Sequence, residues 1–160
     1  MTDRIVIAGA KRTPMGGLGG ELSSLTAAEL GAVAASAAVA EAGCAPEDID
    51  EVIFGNVLGA GQGQAPARQV ALGAGLPMEA VASTVNKMCG SGMKTAMMGH
   101  DLLASGSIDM ALVGGTESMS NAPYLLPRVR DGLRMGHAEA KDHMFLDGLE
   151  DAYERGTLMG

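Results

Sequence analysis

The chain has 160 residues, of which 47% are apolar and 19% charged, a composition that is typical of a folded globular domain and excludes a disordered chain. The formal net charge of −8 argues against a nucleic-acid-binding protein, because phosphate groups require a basic protein face. No apolar run reaches the ~18 residues of a transmembrane helix, and the N-terminal residues lack the pattern of a signal peptide. We therefore expect a cytoplasmic protein that does not span a membrane.

The first part of the chain predicts a strand followed by a helix. Residues 4–10, RIVIAGA, predict a buried first strand. Thr26 and Glu29 form a capping-box pattern that predicts a helix over 27–42, and Gly43 is placed to end it. A glycine-rich turn joins the two elements.

The following segments continue the alternation of strands and helices. Strands are predicted at 51–59, 80–86 and 109–115, and helices at 64–75 and 89–105. The last of these helices is apolar over most of its circumference, which predicts that it is largely buried. Such alternation is typical of the α/β class, with a mainly parallel sheet and helices on both faces.

The charge density changes near the end of this pattern. Residues 52–127 contain seven charged residues, whereas 128–155 contain twelve. This contrast predicts a core that ends near residue 120 and a tail that is either a solvated linker or a lobe folded over a site. Within the tail, residues 143–153 have the apolar spacing of a short amphipathic helix.

Cys89 lies where the predicted strand at 80–86 gives way to a glycine turn and a helix. At a helix start, unpaired N–H groups and the helix dipole favour negative charge, which stabilises a thiolate as a nucleophile. Gly90 and Gly92 leave room for an acyl donor, and the N–H of Cys89 could donate to an oxyanion. This pattern alone leaves two interpretations open, a catalytic nucleophile and a cysteine buried as a small apolar residue.

The remaining cysteine and the histidines do not complete a site. Cys44 follows a predicted helix end and is predicted to be an inert packed residue. The sequence predicts neither a disulfide framework nor a metal site, because no Cys/His set has ligand spacing. His100 would lie ~16 Å from Cys89 along the predicted helix. His137 and His143 would reach the sulfur only if the charged tail folded back, so no base is assigned.

Several blocks of the sequence identify a family. VNKMCGSGMKTAMM, DMALVGGTESMSNAPYLLP and RMGHAEAKDHMFLDGLEDAY closely resemble segments of the thiolases, and RIVIAGAKRTPMGGLGGEL and GQGQAPARQVALGAGLP are similar to the same family. The resemblance runs over the whole chain and implies a thiolase-like layered α/β fold. Residues 1–120 would then form the N-terminal core domain and 121–160 the start of the substrate-covering loop lobe, without the C-terminal thiolase domain.

The resemblance also implies an activity. Cys89 matches the nucleophile that takes an acetyl group from acetyl-CoA or acetoacetyl-CoA, with its own N–H in the oxyanion hole. A second acetyl-CoA then attacks the acetyl-cysteine and yields acetoacetyl-CoA. Leu149 and Met159 align with positions that line the CoA pocket. The family implies no cofactor beyond the CoA thioester substrate, and a homodimer or homotetramer in which the strand at 80–86 pairs across the dimer.

The sequence also departs from the family pattern. Thiolases are more than twice this length, and their Gly-His-Pro block, Asn-Glu-Ala-Phe block and second reactive cysteine are not found in these 160 residues. We therefore expect no thiolase turnover from this chain alone. Two other functions stay open, a ketoacyl-synthase-like condensing protein and a non-catalytic assembly module that keeps the thiolase fold.

Overall fold

The computed structural model describes residues 4–159. Residues 1–3 of the predicted core domain and residue 160 of the predicted lobe lie outside the described residues. Its centre is a three-stranded parallel sheet with strand order β2-β1-β3. The strands are β1 (Glu51–Gly55), β2 (Val81–Val85) and β3 (Ala111–Gly115). The helices are α1 (Ala27–Ala42), α2 (Pro66–Gly73) and α3 (Ser91–Ala104). The predicted α/β class is confirmed.

Alternate residues of β1 face different helices, because successive side chains of a strand point to opposite sides of a sheet. Val52 and Phe54 lie in the apolar core that α1 and α2 cover. Gly55, on the other side, lies against the first residue of α3. The Phe54 ring packs over Gly114, where an added Cβ would lie 2.7 Å from its Cζ atom. The sheet is therefore covered on both faces, as the sequence predicted.

Helix α1 has the bounds that its capping signals predicted. The Thr26 hydroxyl accepts a hydrogen bond from the Glu29 N–H at 3.2 Å, and the Glu29 carboxylate accepts one from the Thr26 N–H at 2.8 Å. The Thr26 hydroxyl also donates to the Glu29 carboxylate at 2.8 Å, and the bonds that the carboxylate accepts, from the Thr26 N–H first and the hydroxyl second, lower the pKa of Glu29. Gly43 ends the helix with φ of 67°, a left-handed conformation that glycine adopts readily.

Helix α3 differs from its prediction in both its start and its burial. It begins at Ser91, two residues after Cys89. Its buried residues are the small Ser91, Thr95 and Gly99, whereas Met93 and Met97 are 73% and 55% exposed. The prediction of a largely buried helix is wrong for the part of the chain that the structure describes. The face of α3 that carries small residues packs on the sheet, because helix and strands lie too close together for larger side chains. A Cβ on Gly99 would lie 2.7 Å from a methyl group of β3.

The predicted first strand is not a strand. Residues 4–10 pair with no strand between residues 4 and 159, and Ile7 is 88% exposed. The segment is instead fixed to the end of α1, where the Ala10 N–H and the Lys11 ammonium donate to the Glu41 carboxylate at 2.8 and 2.5 Å. The contacts with Lys11 and then Ala10 lower the pKa of Glu41. The prediction of a buried strand is therefore wrong in both respects for these residues, because a strand needs a ladder partner, which an apolar pattern does not supply.

The tail forms small elements beside the strand ends. Strands β4 (Tyr124–Leu125) and β5 (Lys141–Asp142) make an antiparallel pair, and Phe145–Leu149 form a single π-helical turn where a short amphipathic helix was predicted. The division between core and lobe at residue 120 stays a prediction. None of the helices among residues 4–159 combines the length and apolarity needed to cross a bilayer.

Asp50 gives the fold a pH-dependent link between the segments that precede β1 and β3. Its carboxylate accepts hydrogen bonds from the Met110 and Asp109 N–H groups at 2.9 and 2.8 Å, which lower its pKa, Met110 contributing more. A carboxyl whose pKa is lower in the folded state stabilises the fold above its unfolded pKa, and this contribution is lost as the pH falls through the folded value.

We expect Asp50→Asn to lower the melting temperature at neutral pH and the difference from the unaltered chain to shrink as the pH falls below about 4. Thermal unfolding followed by circular dichroism between neutral and acid pH measures this. Glu79→Gln, at an exposed acidic position, is the control and should show no such trend. A difference that stays constant with pH would contradict the proposed origin of the effect.

Candidate active site

Cys89 is exposed in the turn that joins β2 to α3. The residue before it, Met88, has φ of +48°, which is uncommon for a residue with a side chain and costs about 1–2 kcal/mol. This left-handed residue redirects the chain as it leaves the strand, and α3 begins after the N-cap Gly90. Of the two interpretations of Cys89, burial as a small apolar residue is wrong for this structure.

The backbone around Cys89 leaves its own N–H available. The N–H groups of Gly90 and Ser91 donate back to Lys87 and Met88 at 3.1 and 3.0 Å. The Cys89 N–H donates to no other residue between 4 and 159. A free amide next to an exposed sulfur at a helix start can donate to negative charge that develops on a carbonyl bound to that sulfur.

The tip of the central strand supports this turn from below. A Cβ added to Gly55 would lie 2.6 Å from Ser91 Cβ, so strand and helix start meet without an intervening side chain. A Cβ added to Gly115, at the end of β3, would likewise lie 3.2 Å from the Cα of Gly92. These glycines let the carboxyl edge of the parallel sheet lie directly under the turn, at the edge where ligands bind in such folds.

A carboxylate that sequence reasoning did not single out organises the loop after β1. Glu117 follows β3 and accepts hydrogen bonds from the Asn56 side-chain amide at 2.8 Å and from the Val57 N–H at 2.9 Å. It also accepts a longer bond from the Leu58 N–H at 3.2 Å. Asn56 is buried and donates in addition to the Thr116 carbonyl at 3.1 Å. Glu117 thereby joins the ends of two neighbouring strands.

The tail folds back onto this loop through His143. The imidazole is 5% exposed, and its Nε2 atom accepts a hydrogen bond from the Ala60 N–H at 3.3 Å. Because Nε2 accepts, the ring proton is assigned to Nδ1, which donates to Asp147 at 2.6 Å. The next helical turn also contacts the loop, since a Cβ on Gly148 would lie 3.0 Å from a Leu58 methyl. The tail that carries His143 therefore does fold back, but His143 binds the loop after β1 and makes no hydrogen bond with Cys89.

The two residues predicted to line a CoA pocket lie together in the tail. The Met159 N–H donates to the Leu149 carbonyl at 2.8 Å, next to an antiparallel bridge between Glu150 and Leu158. Leu149 is half-buried and Met159 is exposed. Neither forms a hydrogen bond with Cys89 among residues 4–159. The loop after β1 lies between them and the cysteine turn: its Leu58 contacts the tail at Gly148, and its Val57 contacts Asn86.

The other candidate residues lie apart from this site. Cys44 is half-buried against the core, and its thiol points toward the Val39 carbonyl at 4.0 Å, as expected for a packed residue. His100 and His137 are exposed. Within residues 4–159 no cluster of three or more His, Cys, Asp or Glu side chains has an arrangement that could hold a metal ion.

We expect His143→Ala to loosen the tail without unfolding the core. The change leaves the Ala60 N–H without its acceptor, which costs about 1–3 kcal/mol of local stability. Hydrogen exchange followed by mass spectrometry should show faster exchange at Ala60 and across 141–149, with little change in α1. His100→Ala is the matched control at an exposed histidine and should leave exchange unchanged. Equal exchange in both variants would show that His143 does not hold the tail.

A parallel sheet, a cysteine turned out ahead of a helix and a tail folded over the strand ends together define a thiolase-type domain. The family model described as "Thiolase, N-terminal domain" matches residues 5–160. The chain belongs to the thiolase family.

Three relatives carry related names. The chain is 50% identical over 154 residues to "Acetyl-CoA acetyltransferase ERG10, cytosolic" of Gibberella zeae, covering 96% of this chain and 39% of the relative. It is 49% identical over 156 residues to an acetyl-CoA acetyltransferase of Schizosaccharomyces pombe, covering 98% and 39%. It is 50% identical over 162 residues to that of Saccharomyces cerevisiae, covering 100% and 40%. The chain therefore spans about two fifths of the length of these relatives.

Proposed function

We propose that this chain carries the nucleophile of an acetyl-CoA acetyltransferase that condenses two acetyl-CoA molecules to acetoacetyl-CoA and CoA, or catalyses the reverse thiolysis. The observation that carries the proposal is the exposed Cys89 at the turn ahead of α3, in a chain about half identical to acetyl-CoA acetyltransferases. A structural cysteine would not require the strained residue before it or the free amide at its own position.

In the first step the Cys89 sulfur attacks the carbonyl carbon of the acetyl thioester. A bond forms between that carbon and the cysteine sulfur, the bond to the CoA sulfur breaks, and CoA leaves as a thiol with the proton that the cysteine gave up. The negative charge that develops on the carbonyl oxygen is stabilised by the Cys89 N–H. The enzyme needs no cofactor for this step, because the substrate itself carries the activated acyl group.

In the second step another acetyl-CoA loses a proton from its methyl carbon. That carbon attacks the acetyl-cysteine carbonyl, a carbon–carbon bond forms, and the Cys89 thiolate leaves, which yields acetoacetyl-CoA. Proton abstraction requires a base, and we assign none among the residues described. Full turnover is therefore not expected from the 160 residues alone, whereas transfer of one acetyl group to Cys89 is.

Leu149 and Met159 form the wall for the CoA arm in this proposal. They are joined by a backbone hydrogen bond and both are accessible in part. Their apolar side chains suit the apolar portion of a pantetheine chain. His143 accepts a hydrogen bond from the loop after β1, which supports a position of the tail near the strand ends that carry the cysteine turn.

We also assign the protein to a homodimer or homotetramer in the cytosol. Strands β2 and β3 are the two outer strands of the sheet among residues 4–159, and the Val81 side chain of β2 is exposed. Unpaired backbone groups at such an edge are available to a second copy. The relative from Gibberella zeae is named as cytosolic. Sedimentation equilibrium distinguishes the dimer and the tetramer from a monomer.

The test is single-turnover acetylation. The chain is incubated with acetyl-CoA, quenched in acid and analysed by intact mass and peptide mapping. We expect one acetyl group on the peptide that contains Cys89, lost on treatment with hydroxylamine as a thioester is. Cys89→Ser should abolish this modification and Cys44→Ser should preserve it.

Three results would contradict the proposal. Acetylation of Cys44 in place of Cys89 would show that the exposed cysteine has no special reactivity. Transfer from an acyl-carrier-protein thioester but not from acetyl-CoA would favour the ketoacyl-synthase-like alternative. A chain that is not acylated by either donor but binds a partner chain would support the assembly-module alternative.

A further inference from the structure

The side chains of Asn86 and Ser91 close the turn that presents Cys89 by bonding to its backbone. The side-chain amide oxygen of Asn86, Oδ1, accepts a hydrogen bond from the Met88 N–H at 3.0 Å. The Ser91 hydroxyl accepts one from the Lys87 N–H at 2.9 Å and donates one to the Met88 carbonyl at 2.6 Å. Both polar groups of the Met88 backbone are thus bonded to side chains that flank Cys89.

These bonds matter because Met88 is in a conformation that it does not favour by itself. A methionine with φ of +48° is strained, and such strain persists only where the surroundings fix it. An asparagine two residues earlier and a serine three residues later are residue types whose side chains bond to nearby backbone in this way. Without them, the turn would relax toward an ordinary conformation and Cys89 would change direction.

Ser91 is fixed in turn by the strand below it. It is buried, and its Cβ lies where only a glycine at position 55 leaves room. Asn86 contacts the loop after β1 through a long, 3.5 Å approach of its amide to the Val57 carbonyl. One of the two closing residues therefore rests on the sheet and the other reaches the loop that Glu117 organises.

We propose that Asn86 and Ser91 are positioning residues for the Cys89 thiol, which hold Met88 in its left-handed conformation and so keep the sulfur turned outward ahead of α3. The inference rests on the proposed function only for the chemistry that the thiol performs. The presentation of the thiol can be measured without any CoA substrate.

The readout is the ratio of the iodoacetamide alkylation rates of Cys89 and Cys44, measured by mass spectrometry on the intact 160-residue chain. Cys44 is an internal reference, because global unfolding exposes it while a local change in the turn does not. We expect Asn86→Leu and Ser91→Ala each to lower the ratio about tenfold, since the sulfur loses its place at the helix start. Asn86→Asp keeps the acceptor oxygen and should retain the ratio within about twofold.

A suppressor variant separates positioning from a general structural role. Glycine adopts positive φ without strain, so Met88→Gly should restore most of the ratio when combined with Asn86→Leu. Restoration would not be expected if Asn86 acted elsewhere in the fold. If Ser91→Ala also speeds the labelling of Cys44, the variant is unfolded. The proposal is then judged on the variants of Asn86 alone.

The proposal is overturned if Asn86→Leu leaves the ratio unchanged, or if Met88→Gly fails to restore it. Failure of acetyl transfer with a normal alkylation ratio would instead overturn the proposed function and leave the positioning roles intact. The two results are distinguishable because iodoacetamide needs neither a CoA site nor a base.

Discussion

Replacement of Glu117 by alanine is expected to lower the free energy of unfolding by about 3 kcal/mol. The carboxylate accepts hydrogen bonds from the Asn56 amide and from two consecutive backbone N–H groups of the loop after β1. Removing it leaves these donors unsatisfied in a region where Asn56 is already buried. This loss of stability exceeds the loss from removing a typical surface charge, because three donors lose their shared acceptor at once.

Urea unfolding at equilibrium measures this loss, and Glu117→Gln separates its causes. Glutamine keeps one acceptor oxygen but presents an amide that cannot accept, so an intermediate loss is expected. Glu79→Ala, at an exposed acidic residue, serves as the control and should change stability by no more than about 0.5 kcal/mol. If Glu117→Ala behaves like Glu79→Ala, the hydrogen bonds to the loop do not contribute as described.

Cys89 is expected to react with iodoacetamide at least about tenfold faster than Cys44 in the unaltered chain. Cys89 is exposed at the turn ahead of α3, where the reagent can reach its sulfur directly. Cys44 is half-buried, and its thiol points toward the Val39 carbonyl at 4.0 Å, so the reagent reaches its sulfur less easily.

Mass-mapped labelling over time measures both rates in one sample, and the single variants Cys44→Ala and Cys89→Ala identify each product. In guanidinium chloride the two rates should converge, since the difference depends on the fold. Faster labelling of Cys44 in the native chain would contradict the presentation of Cys89 on which the proposed function depends.

Local signals explain what the sequence predicted well. Helix α1 has the predicted bounds because a capping box and a terminal glycine act within a few residues of the chain. Cys89 lies in the turn between strand and helix, as predicted, because the change from strand to glycine turn to helix is also local. Its chemical role stays a prediction from the family resemblance.

Long-range contacts explain what the sequence could not predict. Residues 4–10 have the composition of a strand, but a strand is defined by a partner elsewhere in the chain. The apolar residues of α3 did not show which face the sheet would take, because glycine and serine permit closer packing than methionine does. Glu117 was missed because its partners lie about sixty positions earlier and two of them are backbone amides, which carry no sequence signal.

The strand order has a consequence for how the chain folds. Strand β1 is the first of the three to be synthesised, yet it lies in the middle, with Glu51 opposite both Val81 and Ala111. The strand that is synthesised first is therefore the one that pairs on both of its edges, and every backbone ladder in the sheet joins residues at least thirty positions apart. Non-local pairing of this kind slows folding, because loop-closure entropy is lost before the long-range contacts form. We expect the β1-α2-β2 unit, whose loop closes first, to nucleate the structure.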